Sequence, residues 1–265
     1  MICHSRKDAI LALALGLLLA AGGAARAQTA VDVEIALLAD TSGSVGASGY
    51  TQQRDGYIAA FNNPSVANAI ASGALGSIAV NLVDWDSSPT QVTGWFLIDG
   101  TDGHTASDYA DLIAASWSGS ASGGTNLTSA INSVSMAGAD AGVDAFSENS
   151  FNGRRNVIDI STDGSPNSTS ASAAAAAAAL AGDVDTINAI AIGSGADTIF
   201  LQGQIIGGDG AFLLTPDSFE EFADAILEKL VAEVTGNIGA ASTDVMNQVM
   251  LGRNQIGRAS CRERV

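Results

Sequence analysis

Short apolar runs alternate with helix-forming segments over about 210 residues of this 265-residue chain. Between the runs, apolar residues recur at helical spacing, for example at Leu127, Ile131 and Val134. This alternation predicts an α/β fold, with a doubly wound, mostly parallel sheet flanked by helices on both faces. Two of the runs, 78–85 and 92–98, are close enough in sequence to form one antiparallel edge hairpin. The strand-like runs are 33–39, 78–85, 92–98, 157–160, 187–192 and 211–214.

The first 27 residues have the pattern of a secretory signal peptide. Arg6 and Lys7 provide a basic start, and an apolar run over 9–21 follows. That run is too short for a comfortable membrane span. Because Ala25 and Ala27 place small residues at the −3 and −1 positions, we expect cleavage before Gln28 and export to the periplasm or the extracellular space.

The other end of the chain has an unusual sequence. Residues 256–265 can be encoded, codon by codon, by a widely used sequencing adapter, so we interpret them as adapter read-through; a genuine short basic tail is the alternative. The predicted organisation is then a signal peptide (1–27), one domain (28–236), a truncated C-terminal extension (237–255) and the adapter segment (256–265).

The chain is strongly acidic. It carries 28 acidic and 11 basic residues, a net charge of −17. Within 28–255 only five basic residues remain beside 26 acidic ones, which gives 5 − 26 = −21. Nucleic-acid binding, which needs a basic face to neutralise phosphates, is excluded, and docking on anionic lipid is disfavoured. No integral membrane segment is expected in the mature chain. Both cysteines, Cys3 and Cys261, lie in the end segments, so a Cys-ligated metal site is excluded as well.

A group of polar residues follows the predicted strands. The first strand runs into Asp40, Ser42 and Ser44, a D-x-S-x-S turn ahead of a helix. Such oxygen ligands suit Mg²⁺, with Mn²⁺ or Ca²⁺ as alternatives, although Ser and Asp are also common helix caps. Thr125 precedes another helix, and Asp163 ends a later strand. Because the carboxyl ends of parallel strands share one edge, we expect these five residues to converge there.

This set resembles the von Willebrand factor A (vWA) domain with its metal-ion-dependent adhesion site (MIDAS). The resemblance implies that Ser42, Ser44 and Thr125 bind one divalent cation directly, and that Asp40 and Asp163 do so largely through water. It also implies an open coordination position for an acidic group, Asp or Glu, of a partner protein.

The resemblance narrows to an uncharacterised family of exported bacterial vWA-like proteins. The segments that carry it are 50–57, 78–85 and 151–159, within a similarity that covers 31–234. Two departures are Asp84-Trp85, where that family has Glu-Trp, and Thr162, where it has Gly. Neither departure is expected to touch a proposed ligand. Asp159, four residues before Asp163, is assigned no coordination.

The function expected from these features is metal-dependent binding of a protein partner by an exported vWA protein that is not an enzyme. A metal-dependent scaffold subunit of a larger envelope complex is a second hypothesis. A metal-dependent hydrolase is a third and weaker one, because His104 is the only histidine outside the signal segment and no base is evidently positioned.

Overall fold

The computed structural model describes residues 27–236. Three segments lie outside the described residues: nearly all of the predicted signal segment, the extension 237–255 and the adapter-like segment 256–265. The predictions made for these segments stay predictions. None of the helices within 27–236 has the length and apolar character that a bilayer-spanning helix requires.

The 27–236 domain contains ten strands, where the sequence pattern predicted six strand-like runs, and its longer strands are separated by helices. The strands are β1 (Thr29–Val31), β2 (Val33–Asp40), β3 (Ile78–Trp85), β4 (Pro89–Gln91), β5 (Phe96–Ile98), β6 (Phe151–Gly153), β7 (Asn156–Thr162), β8 (Thr186–Ala191), β9 (Gly207–Gly208) and β10 (Leu213–Leu214). The longer helices are α1 (Gly46–Phe61), α2 (Pro64–Ala71), α3 (Ala106–Ser116), α4 (Leu127–Ser135), α5 (Thr169–Ala181) and α6 (Phe222–Thr235).

The central sheet is mostly parallel, which confirms the predicted fold class. Its strand order is β10-β8-β7-β2-β3-β4, and these neighbours are parallel except for β4, which is antiparallel to β3. β5 also pairs with β3 and β9 with β8, both antiparallel. The predicted edge hairpin is therefore present, but its returning chain forms two short strands, of which β5 lies within the predicted run 92–98 and β4 lies before it. Gly94, with φ +68°, lies between them. β1 and β6 form a separate two-stranded parallel sheet.

The sheet buries both of its faces. All eight residues of β2 are buried, and their side chains alternate between two apolar clusters. Ile35 and Leu37 pack with apolar residues of α1, α2, α3 and α6. Ala36 and Leu38 face the opposite side, against α4 and the small side chains of α5. A strand buried on both faces reads as a continuous apolar run, which explains the composition of β2.

The parallel pairing brings the polar turns together. β2, β3 and β7 lie side by side and run in the same direction, so their carboxyl ends are at one edge of the sheet. Asp40 pairs with Trp85 at the end of β3, and Ala39 pairs with Ser161 near the end of β7. The loops that follow these strands therefore start at the same edge of the sheet, on neighbouring strands.

Candidate functional site

The first loop of the candidate site begins with Asp40, which ends β2 and is fully buried. Its Oδ1 accepts the amide hydrogen of Ser42 at 2.8 Å, an Asx-type turn that folds the loop back over the strand end. The Ser42 and Ser44 hydroxyls are then 3.2 Å apart. Ser42 and Ser44, two positions apart, thus direct their hydroxyl oxygens to one point, as their spacing in the sequence predicts.

The other two loops complete the group. Thr125, just before α4, donates its hydroxyl to Ser42 Oγ at 3.2 Å. Asp163, just after β7, accepts the Ser44 hydroxyl on Oδ1 at 2.6 Å. The structure therefore places all five sequence-predicted residues in one hydrogen-bonded cluster, although they come from three separate loops.

Thr162 belongs to this site although the sequence analysis expected otherwise. Its Oγ1 donates to Asp40 Oδ2 at 2.6 Å, so the expectation that position 162 touches no proposed ligand was wrong. The reason is register: β7 lies directly beside β2, and Thr162 follows Ser161, the partner of Ala39. No local pattern in the sequence signals this contact, because it depends on which strands are neighbours and in which register they pair.

Both carboxylates of the site are held in an environment that disfavours a lone negative charge. Burial raises the pKa of Asp40 to about 6, against the lowering effect of hydrogen bonds from Thr162 and Ser42. Burial also raises the pKa of Asp163, against the hydrogen bond from Ser44. A cation bound between them would compensate this cost of desolvation.

The residues present fit a hard divalent cation. The cluster offers three hydroxyl and two carboxylate groups, the oxygen ligands that Mg²⁺, Mn²⁺ and Ca²⁺ prefer. Gly164 keeps the space beside them free, since a Cβ at this position would lie 3.4 Å from Ser44 Oγ and 3.5 Å from Thr125 Oγ1. The donors and the space thus suit a metal that these side chains would share.

Asp159 lies elsewhere, in a buried ion cluster between the sheet and α6. Lys229 Nζ contacts Asp159 Oδ1 and lies 2.9 Å from Glu233 Oε1, and all three residues are nearly inaccessible to solvent. Asn188 also donates to Glu233 Oε1, at 2.8 Å. Asp159 therefore lies in this ion cluster and not among the five proposed ligands, and its buried pairing makes it a structural residue.

His104 is not near the metal cluster. It is exposed in the turn before α3, and its ring packs against Phe96 of β5. β5 pairs with Ile78–Val80 at the beginning of β3, the end opposite to the one that meets Asp40. A nucleophile–histidine pair involving Ser42 or Ser44 is therefore not formed.

A family model described as "Protein of unknown function (DUF1194)" matches residues 30–238. The chain belongs to the DUF1194 family. Comparison with curated proteins gives no match. The match to DUF1194 covers nearly all of the described domain and includes every residue of the candidate site.

Solved structures place this DUF1194 chain in the vWA fold. Proximal thread matrix protein 1 from the mussel byssus has a TM-score of 0.56 at 20% identity, covering 78% of this chain and 49% of that one. The pilus adhesin SpaC from Lactobacillus rhamnosus GG has a TM-score of 0.53 at 16% identity, over 79% and 31%. A von Willebrand factor type A protein from Catenulispora acidiphila has a TM-score of 0.51 at 17% identity, over 77% and 43%.

These similarities confirm the predicted resemblance to the vWA domain. The DUF1194 chain spans about half or less of the length of each of these structures. At these identities the likeness concerns the fold.

Proposed function

We propose that this protein is an exported vWA protein that binds a protein partner through a divalent cation. Asp40, Ser42, Ser44, Thr125 and Asp163 would hold the cation, with Mg²⁺ as the resident ion and Mn²⁺ or Ca²⁺ as alternatives. The observation that carries the proposal is a cluster at the carboxyl edge of the sheet. The side chains of Ser42, Ser44, Thr125 and Asp163 are joined by contacts of 2.6–3.2 Å. The Asp40 carboxylate is joined to them through the Ser42 amide, at 2.8 Å.

The charge of the site indicates what the partner presents. Asp40 and Asp163 are the only charged groups among the five residues, so their two negative charges balance the two positive charges of the ion and no further negative charge remains. An ion ligated mostly by hydroxyls remains electrophilic and attracts an Asp or Glu side chain of the partner. We therefore expect the protein to bind the metal weakly when the metal is alone and more tightly once a carboxylate is present. By linkage, the metal strengthens binding of the carboxylate by the same factor.

The first test uses the metal alone. Calorimetric titration with Mg²⁺ and Mn²⁺ should show one site in the unaltered protein and none in Asp40→Asn, which keeps the shape of the side chain and its acceptor for Ser42. Asp111→Asn is the matched control, because Asp111 is exposed on α3, away from the site. Zinc belongs in the panel, since the mussel byssus protein of the same fold was solved with zinc in its MIDAS motif. Equal binding by Asp40→Asn and the unaltered protein would place the metal elsewhere.

The second test addresses the partner. Partners recovered from envelope extract should be lost on chelation, restored by Mg²⁺ and absent with Asp40→Asn. The scaffold hypothesis is also metal-dependent, so chelation should dissociate its complex as well. It differs in predicting that the protein is recovered as a subunit of fixed stoichiometry in one stable complex. A hydrolase would instead show metal-dependent turnover of ester or phosphoester probes, which Asp40→Asn abolishes.

A further inference from the structure

A second group of polar side chains lies beside the proposed metal loops. Asp84, near the end of β3, pairs with Ala39 of β2, the residue before Asp40. Asp86 follows just beyond the end of the strand, close enough for its charge to act on Asp84. We call Tyr50, Asp84, Asp86, Trp117 and Ser122 the Asp84 cluster.

The Asp84 cluster contains a carboxylate whose charge is not compensated. Asp84 is partly buried, and Trp117 Nε1 donates to its Oδ2 at 3.0 Å. Burial raises the pKa of Asp84 to about 6, against the hydrogen bond from Trp117, and the neighbouring charge of Asp86 adds to the rise. Each of the four basic side chains within 27–236 is engaged elsewhere: Arg54 with Asp55, Arg154 with Asp32, Arg155 with the Glu233 carbonyl and Lys229 with Asp159.

An unpaired hydroxyl points to the same place. Tyr50 is 5% exposed, and its buried hydroxyl has no hydrogen-bond partner among the described residues. The Tyr50 ring packs edge-on against Trp117, the donor to Asp84, with the ring centroids 5.6 Å apart. Burial and the charge of Asp84 raise the pKa of Tyr50, and the charge of Arg54, whose side chain pairs with Asp55, lowers it. A buried hydroxyl without a partner costs free energy, and a ligand that donates to it would recover that cost.

The segment over this cluster also borders the metal loop. Ser122 donates its amide to the Thr41 carbonyl at 2.8 Å, and the Gly123 carbonyl accepts the Gly43 amide at 3.2 Å. Gly119 lies above Tyr50, where a Cβ would be 3.3 Å from the hydroxyl oxygen. A ligand seated at the proposed metal would therefore have the Asp84 cluster as its immediate neighbour.

We propose that the Asp84 cluster is a subsite for a cationic side chain, lysine or arginine, of the same partner whose carboxylate the metal binds. An ammonium or guanidinium group supplies what the cluster lacks, namely a positive charge for Asp84 and N–H donors for Asp84 and Tyr50. A metal ion suits the cluster less well, because the Trp117 N–H already occupies one oxygen of Asp84. This inference rests on the proposed function for its partner, but the subsite can be tested without the metal.

The first experiment uses N-acetyl-arginine amide as the probe, in the presence of a chelator. The indole N–H resonance of Trp117, identified with Trp117→Phe, reports on the carboxylate that it contacts. We expect a saturable shift with N-acetyl-arginine amide and none with N-acetyl-glutamine amide. Asp84→Asn, which keeps an acceptor for Trp117, should weaken binding about tenfold or more, as expected for loss of a charge-assisted hydrogen bond. Asp111→Asn should bind as the unaltered protein does, because Asp111 is exposed on α3.

Three results would overturn the subsite. The first is an equal shift of the Trp117 resonance with the arginine and glutamine probes. The second is an affinity of Asp84→Asn for the arginine probe within twofold of that of the unaltered protein. The third is a Trp117 shift caused by Mg²⁺ in Asp40→Asn, which would identify a metal site instead. The comparison of the two probes needs only the unaltered protein, so the test survives if Asp84→Asn fails to fold. Because a chelator is present, failure of the metal proposal would leave this result unchanged.

The second experiment joins the two sites. Capped peptides with one Asp and one Arg, separated by zero to four Gly residues, are titrated in Mg²⁺. At least one spacing should bind about tenfold more tightly than its Arg→Gln counterpart, and Asp84→Asn should abolish that difference. Absence of any dependence on Arg across the panel would refute the placement of the cation beside the metal-bound carboxylate.

Discussion

Replacing Lys229 with Met should destabilise the fold strongly, because it leaves a buried negative charge without its partner. Lys229 and Asp159 are both 0% exposed, and Lys229 Nζ is the only cation that contacts Asp159 among the described residues. Removing one member of a buried ion pair costs about 3–5 kcal/mol, mainly because the other charge stays buried and uncompensated. For a domain of this size, that corresponds to a fall in the melting temperature of roughly 6–20 °C.

The assay is urea or thermal unfolding followed by circular dichroism at neutral pH. The matched variant is Asp159→Asn combined with Lys229→Met, which removes both charges and should recover most of the lost stability. A cost below about 1 kcal/mol for Lys229→Met, or a double variant no more stable than the single one, would show that the pair does not behave as a buried charge pair.

Three further outcomes are expected. Burial, together with the charge of Asp159, raises the pKa of Glu233 to about 8. The contribution of Glu233 to stability is therefore complete below the ordinary pKa of 4.5 and is lost as the pH rises through about 8. Glu233→Gln should flatten this part of the stability–pH profile measured by urea unfolding. Thr162→Val should weaken Mg²⁺ affinity several-fold in calorimetry, whereas Thr162→Ser, which keeps the hydroxyl on Asp40, should not. If both variants weakened Mg²⁺ affinity equally, the lost affinity would be due to packing and not to the hydroxyl. Thr105→Ala should lower the free energy of unfolding by about 1 kcal/mol, because it removes the capping box that Thr105 forms with Asp108 at the start of α3; a change below about 0.3 kcal/mol would count against that role.

The fold could be predicted from the sequence because its signal is local and repeated. The longer buried strands appear as apolar runs, and most of the longer helices appear as periodic or alanine-rich segments. β1, β4, β6 and β9 were not predicted, since each has only two or three residues and no periodicity to detect. The short helix α2 was also missed, although Asn63 caps it and Pro64 begins it.

The proposed metal ligands were accessible from the sequence for a different reason. Asp40, Ser42 and Ser44 lie within five residues, and their spacing alone directs them to one point. Thr162 and Lys229 act through partners more than 65 residues away, Asp40 and Asp159 respectively. Such contacts depend on which strands are neighbours and in which register, or on the rotation of a helix, and a local pattern contains neither.

The position of β2 at the middle of the sheet has a mechanical consequence. Asp40 is the last residue of this strand, which is paired along eight residues with β3 on one side and along six with β7 on the other. Tension applied to Asp40 along the strand axis would be shared by both ladders, whose hydrogen bonds would have to shear together instead of opening one at a time. The residue at the candidate site is thus attached to a strand that two ladders hold in place.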